Sequence, residues 1–139
     1  MIGKIKNLYL KTAHGQPMDP VTEVEVEVGK GLVGDLSYGR KKRQVLIIDM
    51  ETLDHFGLQP GQVRENITVS DLSLTGLNPG TRIQSGAVQL EVIVNCAPCH
   101  QIEEIRPGLR DEMENRRGLL CAAVSGGDLQ VGDEIHIQQ

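Results

Sequence analysis

Val21-Thr22-Glu23-Val24-Glu25-Val26-Glu27-Val28 is the stretch whose reading decides the fold. In an extended chain Val24, Val26 and Val28 fall on one face and the glutamates on the other, which describes a half-buried strand with a wet side. The same period of two recurs on either side of it, in residues 2–10, 44–48, 67–69, 88–94, 119–124 and 134–137. Turn-forming breaks separate these runs: Gly29-Lys30-Gly31, Pro60-Gly61, Asn78-Pro79-Gly80, Ser85-Gly86 and Gly126-Gly127. Two short helices are expected. One covers 50–56, with Met50, Leu53 and Phe56 on one side and Gly57 as a stop; the other covers 109–116 and starts after Pro107-Gly108. Ser125-Gly126-Gly127-Asp128 reads as the turn of a hairpin into Val131-Gly132-Asp133-Glu134-Ile135. Many short strands with few helices predict an all-β fold closed into a barrel, because closure removes exposed sheet edges.

The 139 residues carry no repeat, linker or low-complexity tract, which predicts a single domain over 1–139. A formal charge of −5 argues against a general nucleic-acid binder, and one Phe, two Tyr and no Trp leave no platform for stacking bases. The opening MIGKIKNLYLKTAHG alternates apolar residues with Lys and Asn, so it reads as neither a signal peptide nor a membrane span. Three cysteines at wide spacing are no disulfide scaffold, and free thiols fit a reducing cytoplasm.

Cys96-Ala97-Pro98-Cys99-His100 follows directly on the strand-like run at 88–94. The string matches haem attachment letter for letter, but that chemistry needs export and a second axial ligand. A zinc site built from Cys96, Cys99, His100 and Cys121 has no second paired motif, and Cys121 alternates like a small core residue. A dithiol redox pair would have no long helix to lower its thiol pKa. Two ordinary loop cysteines around a turn-forming proline remain as the plain reading. Gly31-Leu32-Val33-Gly34-Asp35 could bring backbone amides close to an anion or simply turn the chain. Within Gly39-Arg40-Lys41-Lys42-Arg43, Arg43 is the candidate clamp for phosphate or carboxylate, held rigid as the first residue of a strand. Arg64-Glu65-Asn66 are either plain turn residues or the lining of a barrel mouth, and Arg116-Arg117-Gly118 leads into the run at 119–124. His14, His55 and His136 show no spacing that suggests a metal set.

Taken in order, these strings resemble the MOSC domain, the molybdenum cofactor sulfurase C-terminal domain. The resemblance runs through Val24-x-Val26, Gly31-Leu32-Val33-Gly34-Asp35, Arg43-Gln44-Val45, Glu65-Asn66-Ile67, Leu77-x-x-Gly80, Leu90-Glu91-Val92, Cys99-His100, Arg117-Gly118 and Gly126-Gly127-x-Leu129-x-Val131-Gly132-Asp133, about residues 20–137. It implies a closed, mainly β barrel similar to that of pyruvate kinase, with one or two short helices. It also implies handling of the molybdenum cofactor (molybdopterin) or of activated sulfur. The family's functional cysteine falls at Cys99, which would ligate molybdenum or carry a persulfide. Gly34, Asp35, Arg43, Glu65, Asn66 and Arg117 would bind the pterin cofactor. The resemblance leaves three roles open: a cofactor-binding or sulfur-carrier protein, a molybdenum-dependent oxidoreductase reducing N-hydroxylated substrates, and a non-catalytic delivery module. The matching partners are a sulfur donor, an electron-transfer protein and a client molybdoenzyme, with neither nucleic acid nor membrane among them. Pyridoxal phosphate belongs to fused family members, and this chain has no lysine motif for it. Ser37 and Lys42 stand where close relatives often carry histidines.

Overall fold

The computed structural model describes residues 1–139, and the breaks at Gly29-Lys30, Gly86 and Gly126 fall between strands. In chain order they are β1 (Ile2–Leu10), β2 (Asp19–Val21), β3 (Glu23–Glu27), β4 (Gly31–Leu32), β5 (Val45–Asp49), β6 (Ile67–Ser70), β7 (Arg82–Ser85), β8 (Val88–Asn95), β9 (Leu119–Ser125), β10 (Gly127–Gln130) and β11 (Glu134–Ile137). The helices are α1 (Met50–His55), α2 (His100–Ile105) and α3 (Leu109–Glu112). No helix is long and apolar enough to cross a membrane.

Seven strands close a barrel in the order β11-β7-β8-β9-β5-β6-β1, with β1 returning to β11 and β2 added outside β1. All neighbours in the ring are antiparallel except β5 and β6. A ring with an odd number of strands cannot alternate direction all the way round, so one parallel pair follows from closure at seven. Parallel neighbours need a long crossover, and residues 50–66 with α1 supply it. Asp49 starts that crossover by accepting the Thr52 amide at 2.7 Å on one carboxylate oxygen and the Leu74 amide at 2.7 Å on the other.

The expected hairpin at 125–135 does not form. At Gly126 the chain packs so close that a Cβ would lie 2.7 Å from the Val26 carbonyl oxygen. There it leaves the barrel wall, and β10 pairs with β3 instead, making a small second sheet in the order β10-β3-β4. β11 then rejoins the barrel beside β1 and β7. The helix expected at 109–116 is regular only over Leu109–Glu112, and α2 is an additional helix. α2 carries Ile102 and Ile105 three residues apart, the former buried and the latter packed against the same apolar cluster.

Alternation along β5 and β9 sorts the barrel interior from its outer wall. Val45, Ile47, Leu119 and Cys121 belong to the interior core, so Leu46, Ile48 and Leu120 point outward. Outside the barrel, Ile48 is covered by Leu53, Phe56, Leu58, Val63, Ile102, Leu109 and Met113 from the helices and the crossover. Leu46 and Leu120, partners in the ladder, lie beyond that cover and form the floor of a cleft.

Candidate functional site

The cleft is built by chain segments that converge on the Leu46–Leu120 floor. Lys11 comes from just beyond β1, and Asp35, Ser37, Arg40 and Arg43 come from the loop between β4 and β5. Gln44 precedes β5, Arg64 and Asn66 precede β6, Cys96 follows β8 and Arg117 precedes β9. The cavity has a volume of about 210 Å³.

Four ties hold these segments in place. Asn66 donates from Nδ2 to the Tyr9 carbonyl at 3.2 Å and to Asp35 Oδ1 at 3.0 Å, while its Oδ1 accepts the Leu46 amide at 2.9 Å. Asp35 also accepts the Lys11 amide on Oδ1 at 2.7 Å and the Ser37 amide on Oδ2 at 2.9 Å. Gln44, 1% exposed, donates to the Gly29 carbonyl at 2.9 Å and the Arg40 carbonyl at 2.7 Å, and accepts the Ala123 amide at 2.9 Å. Gly118 has φ +114, and a Cβ there would meet Leu46 Cδ1 at 3.0 Å and the Ile47 carbonyl oxygen at 3.1 Å. A glycine therefore lets the chain turn hard against β5 and sets Arg117 at the cleft.

Charge in the cleft is one-sided. Lys11, Arg40, Arg43, Arg64 and Arg117 line it against the single carboxylate of Asp35, which is already engaged by amide donors. Burial pushes the Lys11 ammonium pKa down, and the Arg64 charge adds to this, followed by smaller pushes from Arg117 and Arg40 that Asp35 partly opposes. Arg117 is only 4% exposed, and its Nε and Nη1 are buried without any hydrogen-bond partner. Buried charges are normally paired, and within the chain the Arg117 guanidinium has no carboxylate partner. Arginine also offers a fork of donors that fits phosphate or carboxylate oxygens.

The expected site residues divide into three groups. Asp35, Arg43, Asn66 and Arg117 are brought together in the one cleft. Arg43 does not begin a strand; β5 starts at Val45, and Arg43 reaches the cleft from an exposed loop position, while Lys41 and Lys42 do not line it. Glu65 and Gly34 lie away from the cleft lining. The Glu65 carboxylate is fully buried and accepts the Gly61 amide at 2.9 Å and the Thr68 hydroxyl at 2.7 Å, which folds the chain ahead of β6. Gly34 is exposed with φ +95, and the amides of its neighbours Val33 and Asp35 bond to the Glu25 and Leu32 carbonyls, so that loop is a turn with few amides free for an anion. Cys99 is half-buried at the N-cap of α2 and does not line the cleft, whose thiol is that of Cys96.

Sequence reasoning passed over Lys11, and within the basic cluster it chose Arg43 over Arg40; it weighed Cys96 only for zinc, haem or dithiol chemistry, and Arg64 as one of three residues that could line a barrel mouth. Arg64, Arg40 and Cys96 each lay within a string the sequence singled out, whereas Lys11 had no such mark.

Comparison with solved structures gives the same fold. The YuaD protein from Bacillus subtilis superposes with a TM-score of 0.86 at 23% identity, over 99% of this chain and 96% of that one. YiiM from Escherichia coli gives 0.77 at 16% identity over 100% of this chain and 70% of that one. YiiM from Geobacillus stearothermophilus gives 0.71 at 16% identity over 99% of this chain and 75% of that one. Sequence comparison with curated proteins finds no match. The MOSC domain pattern matches residues 14–136, and with the barrel and its near-continuous coverage this chain belongs to the MOSC domain family, which is associated with molybdenum cofactor-related proteins.

Proposed function

We propose that the cleft binds the phosphate-bearing pterin molybdenum cofactor, with a thiol of the Cys96–Cys99 segment beside it as metal ligand or sulfur carrier. The observation that carries this reading is Arg117, a buried guanidinium with two unpartnered nitrogens at a cleft that gathers four further cations.

The residues fit such a group. A terminal phosphate calls for guanidinium forks in a partly desolvated setting, and Arg117, Arg64 and the Arg40–Arg43 loop present them from three segments. Lys11 adds an ammonium that gains most from an anion, since burial and neighbouring positive charge penalise its protonated form. Asn66 and Asp35 are committed to Tyr9, Leu46, Lys11 and Ser37, so their part is to hold the cations in place. A soft thiolate suits molybdenum in its dithiolene cofactor, and when bound that group supplies two-electron redox or sulfur-transfer chemistry. The chain's own contribution is charge, orientation and a thiol at the edge of a site only partly open to water.

The test is to purify the protein without air from cells that make the cofactor, then to measure molybdenum and released pterin per chain. Near-equal molybdenum and pterin in the wild type, with both lost from Arg117→Met, is the expected result. Wild-type protein carrying neither, from cells shown to make the cofactor, would overturn the reading.

A further inference from the structure

Residues 11–18 carry the chain from β1 to β2, and 12–17 among them are exposed. The start of this segment is fixed through the backbone of Lys11, whose amide donates to Asp35 Oδ1 at 2.7 Å and whose carbonyl accepts the Leu36 amide at 2.8 Å. Its middle is fixed by a side chain from a distant part of the sequence: Arg64 Nη1 donates to the Gln16 carbonyl at 2.9 Å. Gly15, Pro17 and Met18 then border a hollow of about 460 Å³, which Gln101 and Glu104 of α2 also line. Arg64 is the one residue common to this hollow and the cationic cleft.

Arg64 has the features of a clasp. Its backbone sits in the left-handed region at φ +63, uncommon for a residue with a side chain, and such positions cluster at clamps and switch segments. Its Nε is buried without a hydrogen-bond partner, so the bond to Gln16 leaves donors over for an anion. Arg64 and Lys11 also oppose each other. After burial, the Arg64 charge is the largest influence pushing the Lys11 ammonium pKa down. One cation fastens the middle of the segment and the other stands at its start, so an anion between them turns repulsion into attraction.

We propose that residues 11–18 are a strap that tightens over the hollow beside α2 when an anion fills the cleft, with Arg64 as the clasp that couples the two. The proposal rests on the reading of the cleft as an anion site. Its independent support is the Arg64–Gln16 hydrogen bond and the left-handed backbone of Arg64. By reciprocity, whatever holds the strap shut from the side of the hollow must strengthen anion binding by the same factor.

The test uses elastase, whose small specificity pocket selects small residues and so reads the strap at Ala13. Fragment masses assign the cut, and a free peptide of residues 10–20 corrects for any action of pyrophosphate on the protease. With opening and closing fast relative to cleavage, the cutting rate follows the population of the open strap. Inorganic pyrophosphate should slow the Ala13 cut in the wild type. Arg64→Asn keeps a side chain that tolerates the left-handed backbone but loses the clasp. It should be cut about tenfold faster, as expected for a lost charged hydrogen bond, and pyrophosphate should no longer slow it. Lys11→Met removes the repulsion and leaves the clasp in place, so it should be cut more slowly than wild type without pyrophosphate and gain less from its addition. Saturable heat from pyrophosphate with an unchanged or faster wild-type cut would overturn the strap and leave the anion site standing. So would a wild-type cutting rate in Arg64→Asn that melts as a folded protein. No saturable heat together with no change in cutting would overturn both.

Discussion

Arg117 and Lys11 are cations that the fold holds partly or wholly out of water. A buried guanidinium without a partner is a desolvated charge, and an apolar side chain of similar size removes that desolvation cost. Arg117→Met should therefore melt at the wild-type temperature or above it, yet lose the stabilisation that pyrophosphate gives the wild type. Thermal melts with and without pyrophosphate check both halves; a clear loss of stability in Arg117→Met alone would mean that the guanidinium has a structural partner. Lys11 adds a pH signature. Its pKa in the folded state lies below the ordinary lysine value of 10.5, so between the two values the unfolded chain holds more protons and stability rises with pH. At all lower pH the protonated side chain opposes folding in full. Lys11→Met should accordingly melt above wild type at neutral pH, with the gap narrowing as pH approaches 10.5, and a pH series of melts reads this directly. At this scale the sequence was informative wherever a residue type sat in an ordered string, as with Arg43, Asn66 and Arg117. Spacing alone says nothing about which of two cysteines borders the cleft, because that depends on the register of β8 against β9. Lys11 carried no local mark, since a lysine after a strand is ordinarily a solvated one.

Among the elements, the segment that enters β6 does the most to shape the site. Asn66 joins β1, β5 and the Asp35 loop through its one amide group. Asn66→Ala would leave the Leu46 amide and an Asp35 oxygen short of a partner, at a cost of about 1–3 kcal/mol for a buried group left unsatisfied. Urea unfolding should show that loss, together with weaker anion binding as the Asp35 loop loosens. Gly118→Ala should destabilise comparably by a different cause, a left-handed backbone and a Cβ pressed against Leu46 and Ile47. The barrel strands were mostly legible as alternating runs because one side of each meets the core. β10 and the lone parallel pair were not. β10 alternates too little over four residues, and its partner β3 lies far back in the chain. The β5–β6 pairing follows from closing a ring of seven, a property of the assembled barrel that no segment carries by itself. α2 escaped notice because its cue is a single pair of isoleucines immediately after a motif that reads as a loop.

For the whole molecule, the question is how a chain of formal charge −5 attracts an anion. Exposed charges act over a Debye length of about 10 Å at ordinary salt, whereas the cleft cations act at contact and in part out of water. Raising salt should therefore slow association more than it weakens the bound state, because Arg117 sits where screening reaches least. The account depends above all on the cleft being an anion site organised by Arg117. Calorimetric titration of inorganic pyrophosphate into wild type and Arg117→Met at matched pH and salt measures this most directly. Saturable binding at one site in the wild type, weakened at least about tenfold by the substitution as expected for a lost charged hydrogen bond of about 1.5–3 kcal/mol, is the predicted result. No saturable heat in the wild type, or the same affinity in both proteins, would contradict it.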